Sequence, residues 1–140
     1  MEYKLRRNDL VYPDEYFKIR GVLFDVYNTL GPNHKEKHYH KGIEVGLKKI
    51  GMAYKHEVPA DLLVYNEKVG QYFLDFVIDD KIVLEVKRGR RFRKCDLDQI
   101  LGYLEATGLK LGVLALFAPE EVRTERIINW KVVNINPVHG

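Results

Sequence analysis

The stretch Tyr72–Lys87, YFLDFVIDDKIVLEVK, constrains this chain more than any other. Two apolar runs rich in β-branched and aromatic residues flank Asp79-Asp80-Lys81, the pattern of two strands joined by a tight turn. Charge is set inside both runs, Asp75 in the first, Glu85 and Lys87 in the second. Burying an unpaired charge is costly, so buried charges are usually paired or hold a metal. Side chains two apart on a strand share a face, which sends Glu85 and Lys87 one way and Leu84 and Val86 the other. Asp75 joins the first pair in one register only. A three-residue loop pairs Ile78 with Ile82 and brings Asp75 opposite Glu85. A two-residue loop would pair Asp75 with Leu84, on the wrong face. The chemistry therefore predicts a three-residue loop or a bulge.

The rest of the chain supplies a frame for this hairpin. A first helix is expected over about Glu15–Asn28, broken by Gly31-Pro32. A second is expected over about Asn33–Ile50, with Asn33 as its N-cap and Gly51 just past its end. Tyr54–Val58 and Asp61–Tyr65 read as strands separated at Pro59, with Asn66-Glu67-Lys68 as a turn. Strands over Gly70–Ile78 and Ile82–Lys87 follow, then a helix over Cys95–Thr107 stopped by Gly108. Leu109–Phe117, LKLGVLALF, is apolar enough for a central strand, and a last strand is expected over Val122–Trp130. Leu84, Val86, Val113, Leu114, Leu116 and Phe117 are the expected core. This order predicts an α/β fold, a mixed β-sheet flanked by helices, in a single domain.

Composition excludes several classes. With 46% hydrophobic and 31% charged residues over 140 positions, the chain has no run approaching a membrane span. The opening MEYKLRRNDLVYPDEY lacks the apolar centre of a secretory leader. Cys95, the one cysteine, has no partner for a disulfide or a cysteine zinc site. An intracellular, cytoplasmic setting is expected. Serine is absent, which excludes a serine nucleophile. His34 and His38 stand at helical spacing, but Lys35 occupies the place of the glutamate in HExxH, so zinc is the weaker reading.

The net charge of +3 is concentrated in one place. Lys87–Lys94, KRGRRFRK, holds six basic residues, and without them the formal charge would be −3. Such clusters attract polyanions by neutralising phosphates and releasing counterions. Arg88, Arg90, Arg91, Arg93 and Lys94 follow Glu85-Val86-Lys87 directly and are the candidate nucleic-acid-binding residues. No base-reading element is evident, so their contacts are expected with phosphate.

Two converging carboxylates make a hard-oxygen site suited to Mg²⁺, or to Mn²⁺. Such an ion polarises a phosphodiester and lowers the pKa of a bound water. A neighbouring lysine can hold that water and stabilise developing negative charge. The plain alternative is a salt bridge on a sheet face, and the D…ExK spacing alone does not separate the two.

Further residues do. Asp75…Glu85-Val86-Lys87 resembles the PD-(D/E)XK nuclease motif, with Leu74 where its proline would stand. Gln99-Ile100-Leu101-Gly102-Tyr103 resembles the QxxxY element of RecB-type members, and Gln99 and Tyr103 share a helix face. Leu30–Tyr39, LGPNHKEKHY, resembles the signature of the GxxExxY family, with Asn33 at the motif's first glycine. Tyr103–Gly112, YLEATGLKLG, is similar to that family too. The resemblance spans about residues 15–130 and implies a restriction-endonuclease-like core. It also implies Asp75, Glu85 and the Val86 carbonyl as metal ligands, with Glu36 close to the ion. Lys87 and Gln99 are implied as catalytic residues, and Tyr39 and Tyr103 as support. The expected activity is metal-dependent phosphodiester hydrolysis in nucleic acid, DNA favoured. Two alternatives stay open: a binding module of the same fold without turnover, and a Holliday-junction-resolvase-like homodimer.

Overall fold

The computed structural model describes residues 11–133. Helix α1 spans Pro13–Leu30 and α2 spans Glu36–Lys49. Strands β1 (Tyr54–Val64), β2 (Glu67–Ile78) and β3 (Ile82–Arg88) follow. Helix α3 (Lys94–Thr107) then leads to β4 (Leu111–Phe117) and β5 (Val122–Ile128). The five strands form one sheet in chain order, antiparallel except for β3 and β4, which run parallel across the α3 crossover. This is the mixed α/β sheet expected from the sequence. Part of the N-terminal stretch considered for a leader, and the tail after Val133, lie outside the described residues. Among those described, no helix is long and apolar enough to cross a membrane.

Helices cover both faces. On α1, Tyr16, Ile19, Val22, Leu23 and Val26 are buried, and on α2, Tyr39, Ile43 and Leu47. They pack on Phe76, Ile78, Ile82, Leu84, Val86, Val113 and Phe117. On the other face, Ile100 and Leu104 of α3 pack on Leu74, Val77, Val83 and Leu114. All six residues expected in the core are buried. The two N-terminal helices approach closely because α2 carries glycine at the contact. A Cβ on Gly46 would lie 2.6 Å from Val22 Cγ1.

Several boundaries differ from the sequence reading, each for a local reason. Helix α1 starts at Pro13, whose missing N–H is unneeded in a first turn. Helix α2 starts at Glu36 with Lys35 as N-cap, because Asn33 is left-handed (φ 70°) inside the preceding turn. The two strands expected on either side of Pro59 are one strand, β1. It lies at the sheet edge, where proline's missing donor is tolerated. The turn into β2 is Tyr65-Asn66, both at positive φ, with Val64 paired to Glu67. Strand β4 starts at Leu111 rather than Leu109, and β5 ends at Ile128 rather than Trp130.

The expected three-residue loop is present, with Ile78 paired to Ile82 and both Asp79 and Asp80 left-handed. On β2, Phe76 and Ile78 face α1 and α2, whereas Tyr72 and Leu74 face α3. The strand's alternation therefore resets at Asp75. On β1, Glu57 is left-handed (φ 57°), between the pairs His56↔Phe76 and Val58↔Leu74. Beyond this point β1 and β2 continue as a two-stranded ribbon whose tip, residues 61–69, is exposed.

The glycine contact gives a test of how α2 is seated. Gly46→Ala should lower stability by about 1–2 kcal/mol, because overpacking at Val22 outweighs the gain in helix propensity. In a thermal-denaturation double-mutant cycle, Val22→Ala should couple to it favourably, leaving the pair less destabilised than the sum of the singles.

Candidate active site

Regular pairing of β2 with β3 ends at Phe76↔Leu84. One step further, where Asp75 would pair with Glu85, side chains replace the backbone ladder. The Asp75 N–H donates to Glu85 Oε1 at 2.5 Å, and the Val86 N–H donates to Asp75 Oδ2 at 2.7 Å. Each carboxylate thus satisfies a backbone donor of the opposite strand, and both are drawn into the gap between the strands. A strand residue's N–H and C=O point to the same edge, so the Val86 carbonyl faces this gap as well.

Glu85 is buried, with 4% of its surface exposed. Burial and the neighbouring Asp75 carboxylate push its pKa up to about 7, against the pull of the Asp75 N–H, Lys87 and His40. Lys87 leaves the same face of β3, is partly buried, and makes no ion pair among the described residues.

Helix α2 brings a third carboxylate and an imidazole. Glu36 is its first residue, and His40, one turn on, places Nε2 4.0 Å from Glu36 Oε1 and 3.5 Å from Asp75 Oδ2. That nitrogen is buried without a hydrogen-bond partner. Burial works against a charged ring, but Asp75, Glu36 and Glu85 outweigh it and hold the His40 pKa above its ordinary value. Tyr39 is buried against Phe117, its hydroxyl donating to the Gly31 carbonyl at 2.7 Å and accepting from the His34 N–H at 3.3 Å. It secures the turn that delivers Glu36. Among the described residues, no group of three or more His, Cys, Asp or Glu side chains is placed to hold a metal ion. The carboxylates are instead turned to the backbone.

Gln99 and Tyr103 do share a face of α3. They line a groove of about 870 Å³ with Tyr72 and residues Pro59–Leu63 of the ribbon. Tyr72 connects that groove to the carboxylates. Its hydroxyl lies 3.4 Å from the Gln99 carbonyl, and its pKa is raised by burial and then by Glu85 and Tyr103.

The basic residues divide. Arg88 and Arg90 line a second cavity of about 420 Å³ together with Asn33, Glu36 and Phe117–Pro119. Arg90 also stands 3.8 Å from Glu120. Arg91 is exposed. Arg93 makes a forked pair with Asp96, and Lys94 pairs with Asp98 at 2.6 Å. The structure thus brings Asp75, Glu85, Lys87 and Glu36 together with Arg88 and Arg90 beside them. Arg93 and Lys94 are engaged at the start of α3. Tyr72 is the neighbour the sequence reading did not single out, whereas the i, i+3, i+4 spacing of Glu36, Tyr39 and His40 already put them on one helix face.

The raised Glu85 pKa has a sign that can be tested in metal-free protein. An acid whose folded pKa lies above its unfolded value of 4.5 gives stability below that value, and loses it as pH rises through about 7. Glu85→Gln keeps an oxygen for the Asp75 N–H and removes the buried charge. In EDTA at about pH 8 it should be more stable than wild type, by up to about 3 kcal/mol, and the difference should close towards pH 4.5. Urea titrations of both proteins across this range check it.

Comparison with known proteins places these observations. No curated protein matches the sequence significantly. A solved structure described as "Crystal structure of SSO0001" aligns with a TM-score of 0.49 at 20% identity, covering 71% of this chain and 55% of that one. This chain thus spans little more than half the length of that protein. A family model for the PD-(D/E)XK nuclease superfamily matches residues 13–128, from the start of α1 to the end of β5. The chain belongs to the PD-(D/E)XK nuclease superfamily.

Proposed function

We propose that this protein is a metal-dependent nuclease that hydrolyses phosphodiester bonds, with DNA as the favoured substrate. The observation that carries the reading is the gap between β2 and β3. Two carboxylates converge there, with an unpaired lysine on the same face. The donor chemistry suits a divalent cation: Asp75 and Glu85 oxygens, the Val86 carbonyl, and Glu36 nearby, with His40 Nε2 beside Asp75 and Glu36. When bound, Mg²⁺ or Mn²⁺ supplies charge to the scissile phosphate and acidifies a coordinated water.

The chain's own residues do the rest. Lys87 holds the attacking water and stabilises negative charge on the phosphate as it builds. The hydrogen bonds from the Asp75 and Val86 N–H groups fix the rotamers of Glu85 and Asp75, so the site is organised before substrate arrives. Arg88 and Arg90 receive the flanking backbone phosphates in the adjoining cavity. Gln99 and Tyr103 flank the opposite approach through Tyr72, where they position substrate.

Purified protein incubated with single-stranded, duplex and branched DNA and with RNA, in Mg²⁺, Mn²⁺ or EDTA, tests this. Cleavage should require metal and fall at least 100-fold in Asp75→Asn and in Lys87→Ala, the scale on which loss of one such electrostatic group is felt. Tight binding with no metal-dependent cleavage would favour the binding-module alternative. Selective cutting of four-way junctions by a species of twice the monomer mass would favour the resolvase-like dimer.

The arginines should act separately from the chemistry. A triple Arg88/Arg90/Arg91→Ala variant should bind unrelated DNA sequences more weakly and flatten the salt dependence by about 0.7–0.9 per lost phosphate contact. Its affinity for Mn²⁺ should be unchanged. An unaltered salt slope would make this segment ordinary solvated surface.

A further inference from the structure

The groove between α3 and the β1–β2 ribbon is built unlike the cavity that holds Arg88 and Arg90. At about 870 Å³ it has the size of a ligand pocket, and its walls carry two tyrosines, Tyr72 from β2 and Tyr103 from α3. Helix α3 also contributes Gly102 and Ala106, side chains too small to fill it. On the ribbon, Leu62 and Leu63 are consecutive yet both line the groove, because the strand register shifts between them. They are 43% and 54% exposed. Large apolar side chains left open beside aromatic rings mark a surface that a ligand covers.

Charge narrows the ligand. Among the described residues, none that lines the groove is a lysine or arginine. Its two aspartates are already engaged, Asp61 with Lys68 at 3.3 Å and Asp98 with Lys94 at 2.6 Å. Such a groove has nothing to neutralise the paired phosphates of a duplex. Its aromatic and apolar walls suit the faces of unpaired bases, which stack on such rings whatever their sequence. The groove is also continuous with the carboxylates. Tyr72 stands three positions before Asp75 on β2. At about 3.3 Å per strand residue that is about 10 Å, a few nucleotide steps along one strand.

We propose that this groove takes the unpaired nucleotides of a single-stranded DNA tail, stacks their bases on Tyr72 and Tyr103, and so presents a junction of single and double strand to the carboxylates. The proposal rests on the reading above that the gap between β2 and β3 hydrolyses phosphodiesters. The two approaches then divide the substrate between them. Arg88 and Arg90 meet the duplex backbone on one side, and the neutral groove receives the tail on the other. Leu62 and Leu63 close over the stacked bases from the ribbon, and Gln99 lies beside them on α3 to accept or donate a hydrogen bond at a base edge.

Fluorescence anisotropy in EDTA tests this with a blunt duplex, the same duplex bearing a tail of about ten nucleotides, and the tail alone. Wild type should bind the tailed duplex at least fivefold more tightly than the blunt one. Tyr72→Leu and Tyr103→Leu should each cost the tailed duplex at least about fivefold, the lower end of what one stacked base contributes, and change the blunt duplex by less than about twofold. Tyr72→Phe and Tyr103→Phe keep the ring and should keep the preference, which separates stacking from a loss of folding. A 2-aminopurine in the tail should be quenched on binding wild type and much less on binding the leucine variants. Equal affinity for blunt and tailed duplexes, or the same quenching in both leucine variants, would overturn the proposal. So would a Leu62→Ser variant that turns a dimer into a monomer with tail binding intact, since the groove would then be covered by a second copy. In Mg²⁺, equal metal-dependent cutting of blunt and tailed duplexes would overturn the groove's role and leave the nuclease reading standing. Tail binding as expected, with no cutting of any substrate, would sustain the groove and overturn that reading.

Discussion

The two hydrogen bonds that cross between Asp75 and Glu85 and the opposing backbone hold the site and the sheet in one arrangement. A backbone donor left buried without a partner costs about 1–3 kcal/mol, and the ladder between β2 and β3 stops one pair short of these residues. The carboxylates fill the place of the missing carbonyls. Because they do so, β2 is free to reset its alternation and swing into the ribbon with β1, while β3 continues straight into its pairing with β4. The same feature that ends the ladder delivers two acidic side chains to one gap. Glu85, buried and held close to Asp75, bears the electrostatic strain of that arrangement.

Everything around the gap serves to approach it from a different element. Helix α2 reaches it from one face, seated closely on α1 through Gly46, with Tyr39 fixing the turn that starts the helix. Helix α3 approaches from the other, with Tyr72 between its groove and Glu85. The end of β3 and the loop after it carry Arg88 and Arg90 into the adjoining cavity. Charge, not shape, organises the centre, and apolar packing on both sheet faces holds the elements that supply it.

How much of this was legible from residue order varies with the range of the interaction. The hairpin register followed from turn length and side-chain alternation, both local, and Ile78 does pair with Ile82. Burial of β3 and β4 followed from their apolar runs. Pro59 was misleading because its effect depends on whether a strand lies at an edge, which only the sheet order decides. The reset at Asp75 was not legible, since period-two reasoning assumes an unbroken strand. His40 and His56 meet across helix and strand, a contact no spacing rule anticipates. The engagement of Arg93 and Lys94 was readable: Asp96 and Asp98 stand three and four residues on, the spacing at which helical side chains pair.

The central claim is that Asp75 and Glu85 share a cation in the gap between β2 and β3. A crystal structure of the protein grown with Mn²⁺, with anomalous differences recorded at the manganese edge, tests it most directly. The account predicts a peak in the gap between β2 and β3, within coordination distance of oxygens from both carboxylates. Full-occupancy manganese elsewhere, with nothing in the gap between β2 and β3, would contradict it.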